Sequence, residues 1–175
     1  ANYTSTGPVC TGTTGLSSST LTVKPGEGPI VGTYTNTRVQ RSLTLKKNWV
    51  NGKPGDAVTA TTTGLANNAT VSSTADAEGD NTTTGNAVSN VAGAVVTLPA
   101  EQFTTGSQAN YTTTVACVGA TLSGSTPGST FTMPDGDVTC TYTNTRIQRS
   151  LTLKKTWGNG KPGDAVTATT TGLAN

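Results

Sequence analysis

The sequence predicts an all-β chain organised as tandem Ig-like or prealbumin-like β-sandwich domains, about 108 residues to the repeat. Three observations point there. Forty of the 175 residues are threonine, many in alternating runs such as TYTNT and VTATTTG, and β-branched side chains suit a pleated, half-exposed surface. Glycine, with 21 residues, joins Asn, Asp and Pro to interrupt the chain at short intervals, the pattern of short strands linked by turns. Residues 35–67 return at 143–175 without a gap, with 30 of 33 positions identical. The offset is 108 positions, the size of a whole domain and too long for a solenoid coil.

The expected organisation is a complete unit over 41–148, the C-terminal part of a preceding unit over 1–40 and the N-terminal part of a following one over 149–175. The complete unit opens on SLTLKKNW, where Leu43, Leu45, Lys47 and Trp49 alternate with Thr44, Lys46 and Asn48. Asn51-Gly52-Lys53-Pro54-Gly55-Asp56 is a strong turn signal. DAVTATTT (56–63) and ATVSST (69–74) read as the next strands, and ADAEGDNTTTGN (75–86) as a turn. NAVSNV (86–91), GAVVTLP (93–99), YTTTVACVG (111–119), STFTMP (129–134) and DVTCTYTNT (137–145) follow, with Asp135-Gly136 as a hairpin-type turn between the last two. Seven or eight short strands without a helical period fit a sandwich. The join Thr145-Arg146-Ile147-Gln148-Arg149-Ser150 has neither Gly nor Pro and reads as strand running into strand, a stiff end-to-end connection.

Composition narrows the function. Eleven basic and nine acidic residues form no block of either sign, which disfavours nucleic acid. There is no histidine, which removes the commonest general base and metal ligand. No apolar run is long enough to span a bilayer, so no membrane contact is expected within this segment. No catalytic triad, metal site or cofactor site can be assembled in the usual ways, and no enzyme activity is expected. A polar surface with few charges is common on secreted proteins, and the expected location is extracellular.

The cysteines are Cys10, Cys117 and Cys140, with no C-x-x-C pair. Cys117 and Cys140 lie on two predicted strands and read either as a disulfide or as two buried thiols. At the repeat offset Cys140 corresponds to Gly32, so Cys10 lacks the local partner and reads as an unpaired thiol, a cysteine bonded to another chain or the mark of a divergent repeat. Strict alternation points Lys47 inward with Leu43, Leu45 and Trp49, and points Asn144 inward with Val138, Cys140 and Tyr142. An inward lysine is costly unless paired, and Glu101 in LPAEQF is a candidate third group.

A first strand of the form LTLxKxW, a middle TLPAE segment and a late strand ending in YTNT resemble the prealbumin-like repeats of Gram-positive pilins and collagen adhesins, the CnaB-like or SpaA-like class. The similarity is greatest to the tandem Cys-containing versions in large bacterial surface proteins. The resemblance implies an autocatalytic isopeptide bond, with Lys47 as nucleophile, Asn144 as acceptor and Glu101 as proton shuttle. Lys155 and Asn36 would take the same roles in the flanking units. It implies a structural module, a spacer and tension-bearing stalk of an adhesin or surface filament, partnered by neighbouring repeats of its own chain.

A self-assembling fibre subunit, held to other copies by inter-chain strand exchange, is the alternative. A carbohydrate- or ice-binding module would need an exposed aromatic row or a flat Thr array. Asp76, Glu78 and Asp80 form an acidic turn without a known calcium-loop spacing. Sequons stand at Asn2, Asn68, Asn81 and Asn110.

Overall fold

The computed structural model describes residues 2–13, 15–18, 20–77 and 79–171. Its regular structure is strand throughout, apart from a single 3₁₀ turn. An N-terminal ribbon pairs β1 (Tyr3–Thr11) antiparallel with β4 (Val31–Arg38), and two short strands, β2 (Leu16–Ser17) and β3 (Thr20–Leu21), lie between them. Only Val39 separates β4 from β5 (Gln40–Val50), and its N–H donates to the Asn2 carbonyl at 2.9 Å. The Arg38 guanidinium donates to the Ala92 carbonyl at 2.8 Å, tying this junction to the unit that follows.

That unit has two main sheets. β6 (Ala57–Thr61) pairs with β7 (Thr70–Thr74) on one edge and β11 (Gln102–Thr105) on the other. β5 lies at the centre of the second sheet. One edge carries β8 (Thr82–Thr84) and β9 (Val88–Val91), both antiparallel to β5. The other edge carries β14 (Val138–Arg146), parallel to β5 from Val138 opposite Leu43 to Thr145 opposite Val50. β12 (Tyr111–Val118) closes the far side of β14. A small third pair, β10 (Val95–Thr97) with β13 (Thr130–Thr132), covers one end and is bridged to the β6 end through Thr63 and Thr97.

The inward rows of the sheets meet in one core. Leu43, Leu45, Val115, Val138 and Tyr142 pack with Ala60 and Val71 of the opposing sheet and with Val96, Leu98, Phe131 and Met133. Each fully buried aliphatic or aromatic side chain here contributes roughly 1.5–3 kcal/mol of transfer free energy. Trp49, Phe103 and Tyr111 form a second cluster, with Trp49 edge-on to both other rings. The Trp49 indole N–H donates to Ser73 Oγ at 3.1 Å, which satisfies its polar end. An all-β unit of sheets sharing a core is consistent with the expected sandwich.

Three expectations are corrected. The segment 75–86 holds β8, because Thr82–Thr84 completes the edge of β5 where β9 stops. The bend at Asp135-Gly136 joins β13 to β14, but these strands pair with different neighbours, so it closes no hairpin. The third concerns the repeated block. Leu43, Leu45 and Trp49 are essentially inaccessible, whereas their copies Leu151, Leu153 and Trp157 are 59%, 52% and 47% exposed, and 147–171 forms no strand. β5 is a strand because others hydrogen-bond to both its edges. No described strand lies beside 151–158, so the same sequence forms no regular structure and stays solvated. Residues 172–175 lie outside the described residues.

Candidate cross-linking site

Lys47 sits mid-way along β5, with Tyr142 of β14 as its register partner. Asn144 is two residues further along β14, on the same inward face, opposite Trp49. Both Lys47 and Asn144 are fully buried. Alternation fixes these directions: each side chain follows a row of core residues that must face inward.

Glu101 reaches the site from the loop between β10 and β11. Leu98 anchors one end of the loop, donating to the Ser129 carbonyl at 2.9 Å and accepting from Gly128 N–H at 2.7 Å. Tyr142 OH donates to the Pro99 carbonyl at 2.9 Å, holding the loop against the strand that carries Asn144. β11 begins at Gln102, immediately after the acid, and pairs with β6. Glu101 is thereby turned inward, and its Oε1 lies 3.2 Å from Lys47 Nζ. Neither side chain of this pair has exposed surface.

Burial dominates the electrostatics. Loss of hydration lowers the Lys47 pKa to about 8 against the pull of Glu101, which raises it. The same loss raises the Glu101 pKa, opposed by the Lys47 charge and the Asn144 amide. Both shifts favour moving the proton from amine to carboxylate, leaving a neutral amine beside a neutral acid. Lys47 Nζ also lies 4.5 Å from the centre of the Trp49 ring and donates to the Asn48 carbonyl at 3.3 Å. Three buried polar atoms lack a well-formed hydrogen bond among the described residues: both Glu101 oxygens and Asn144 Nδ2. Such atoms cost about 1–3 kcal/mol each. Here all three belong to one cluster around Lys47, whose Nζ lies 3.2 Å from one of the Glu101 oxygens.

On the outer side of Asn144, β12 places Thr113 directly across the pair. Thr113 Oγ1 donates to Asn144 Oδ1 at 2.6 Å and accepts from Gln108 Nε2 at 2.9 Å. Gln108 opens the 3₁₀ turn Gln108–Asn110, which Ser107 caps. Sequence reasoning overlooked this pair. Alternation in YTTTVACV nonetheless places Thr113 between the inward residues Tyr111 and Val115.

Four positions along the same two strands, Cys117 and Cys140 face each other and are joined in a disulfide. In the N-terminal ribbon the equivalent pair is Cys10 and Gly32, so Cys10 is a free thiol. Asn36 lies opposite Ser5 there, the counterpart of Asn144 opposite Thr113. Lys155 is exposed, 4.7 Å from the Trp157 ring centre.

The remaining candidates have structural roles or none assigned. Asp76 accepts from Gly79 N–H at 2.9 Å and Asp80 from Asn51 N–H at 2.6 Å, so both carboxylates fasten the turn, while Glu78 lies outside the described residues. No group of His, Cys, Asp or Glu suited to a metal occurs among the described residues. No helix among them is long and apolar enough to cross a membrane. Asn2, Asn68 and Asn110 are exposed and Asn81 is half-buried.

Comparison with protein-family models, with curated proteins and with solved structures finds no match to this chain.

Proposed function

We propose that the chain is a segment of an extracellular adhesin or surface filament of the CnaB-like or SpaA-like kind, a spacer and tension-bearing module whose first and last strands become covalently joined. The observation that carries this reading is the closed cluster of Lys47, Glu101 and Asn144, set between two parallel neighbours, β5 and β14. The chain enters the unit on one of these strands and leaves on the other. Their parallel pairing means that tension between the two ends loads them in shear. A bond from Lys47 to Asn144 would carry that load directly and bypass residues 48–143.

The chemistry follows from the geometry. Lys47 passes a proton to Glu101 and becomes a neutral nucleophile. Its nitrogen attacks Asn144 Cγ, and a new C–N bond forms. Glu101 delivers the first proton to Nδ2, and the carboxylate so freed takes a second proton from the bonded amine nitrogen, so Glu101 ends protonated. The Cγ–Nδ2 bond then breaks and ammonia leaves. Exclusion of water keeps hydrolysis from competing.

Near-identity of the repeated blocks supports a spacer, in which each unit does the same work. The disulfide fits an oxidising compartment. The experiment is single-molecule stretching of the chain between residues 40 and 146. Wild type should release no length from 48–143 at forces that unfold Lys47→Ala and extend it up to the loop closed by Cys117–Cys140. Equal extension of both proteins sinks the reading.

A further inference from the structure

We propose that Thr113 is a catalytic residue of the cross-linking step, its hydroxyl holding the negative charge that develops on Asn144 Oδ1. The inference rests on the cross-linking reading above.

When an amine adds to an amide carbonyl, the carbonyl electrons move onto oxygen. The tetrahedral intermediate needs a donor aimed at that oxygen, already in place and shielded from water. Lys47 and Glu101 supply the nucleophile and the proton transfers, but neither holds Oδ1. Among the described residues, the hydrogen bond to Oδ1 comes from Thr113, at 2.6 Å in a buried setting. The direction of its proton is set. Gln108 Nε2 donates to the same hydroxyl oxygen at 2.9 Å, so the Thr113 proton is free to point to Asn144. The arrangement is rigid on both sides. Thr113 and Asn144 are register partners, and the Cys117–Cys140 disulfide locks that register four residues away. In the N-terminal ribbon the position opposite Asn36 is Ser5, a different residue that keeps the hydroxyl.

In the reaction, the Lys47 nitrogen bonds to Cγ as the C=O π electrons move to Oδ1, where the Thr113 O–H stabilises them. Collapse restores the C=O bond and expels Nδ2 as ammonia with the proton from Glu101. Thr113 begins and ends as a neutral hydroxyl.

The test is the rate of ammonia loss, read by intact mass at timed intervals after dilution from denaturant. The full chain is used, kept denatured since synthesis, with its disulfide formed in each sample. Thr113→Val keeps the shape and removes the donor, and it should slow the loss by roughly 10²–10³-fold. Thr113→Ser should stay within a few-fold of wild type. The Val variant should keep the wild-type pH dependence, because the Lys47–Glu101 pair is untouched. A packing defect at that pair would shift it. If Thr113→Val fails to fold, the contrast of Thr113→Ala with Thr113→Ser replaces it. A wild-type rate in the hydroxyl-free variant, or a Ser variant as slow as it, overturns the role of Thr113 while leaving the cross-link intact. A wild-type chain that never loses ammonia overturns the cross-linking reading itself, and the role of Thr113 with it.

Discussion

Lys47 Nζ and Glu101 Oε1 stand 3.2 Å apart with neither side chain exposed, and burial pushes each group toward its neutral form. An ordinary buried ion pair is defended by hydrogen bonds around both charges, because desolvation otherwise exceeds the Coulombic gain. Here the carboxylate oxygens have no well-formed hydrogen bond, and the neighbouring Asn144 amide nitrogen has none either. Such a pair contributes little to stability, and it places a proton donor and acceptor in direct reach of each other, as the proposed cross-link requires.

The first expectation concerns mass. Intact-mass measurement of the oxidised chain should give the sequence mass less one ammonia and two hydrogens. Lys47→Ala should retain the deficit of two hydrogens alone. A wild-type deficit of two hydrogens would eliminate the isopeptide.

The second concerns pH. In acid, Lys47 is charged and Glu101 protonated, and the amine cannot attack. As pH rises through the raised Glu101 value, the pair holds one proton and the neutral amine becomes accessible by transfer within it. By about 8 the Lys47 amine is half neutral in its own right. The rate of ammonia loss after refolding should therefore climb as pH rises through the raised Glu101 value and level off near the Lys47 value of about 8, with the limb belonging to the pair and to neither residue alone. A rate that does not change with pH below the Lys47 value would contradict this assignment.

How much of this was legible in the sequence depends on whether a feature is local. The turn Asn51–Asp56 is: Asn51 and Gly55 have positive φ, and Asp56 N–H donates to the Lys53 carbonyl. The repeated block reproduces it at Asn159, Gly163 and Asp164, where no sheet helps. The strand before the turn is not local. Its alternation announced which residues would face inward, yet 151–158 has the same alternation and forms no strand, because strands need partners on their edges. Inward facing of Lys47 and Asn144 was therefore readable. The facing of Glu101 was not, because its direction comes from a loop held by Tyr142, Ser129 and Gly128, each distant in sequence. Thr113 could be placed inward by alternation, but its role needs the β12–β14 register, which only pairing reveals.

A third expectation isolates the acid. Glu101→Gln should abolish ammonia loss and leave the Lys47 amine buried without its counter-charge. An uncompensated buried charge costs about 3–5 kcal/mol. Urea denaturation near neutral pH should place Glu101→Gln below the double variant Lys47→Met, Glu101→Gln by that order. Losing Glu101 removes the influence that raises the Lys47 pKa, so the folded-state value moves further below its ordinary 10.5. The folded state then releases its proton first, the unfolded state holds more protons across that window, and stability must rise with pH up to the ordinary lysine value. Equal stabilities for the single and double variants, or no rise with pH, would show that Lys47 is not confined as described.

The last expectation uses the unequal cysteines. Cys117–Cys140 joins facing residues on β12 and β14, and closing a loop of that size contributes about 3 kcal/mol. The β1–β4 ribbon, whose register shifts between Thr6 and Val9, puts Gly32 opposite Cys10. A β-carbon at Gly32 would lie 3.5 Å from Cys10 Sγ, in ordinary contact and with no clash against backbone. Gly32→Cys should therefore form a second disulfide under oxidising refolding. Alkylation followed by intact mass should find no free thiol, where wild type has one, and the ribbon's amides should gain protection from hydrogen exchange. The gain should resemble that of the native bridge, because the loop closed is nearly the same length. Two alkylated thiols in the folded variant would mean that β1 and β4 do not hold this register, and that the ribbon is not the structural counterpart of β12 and β14.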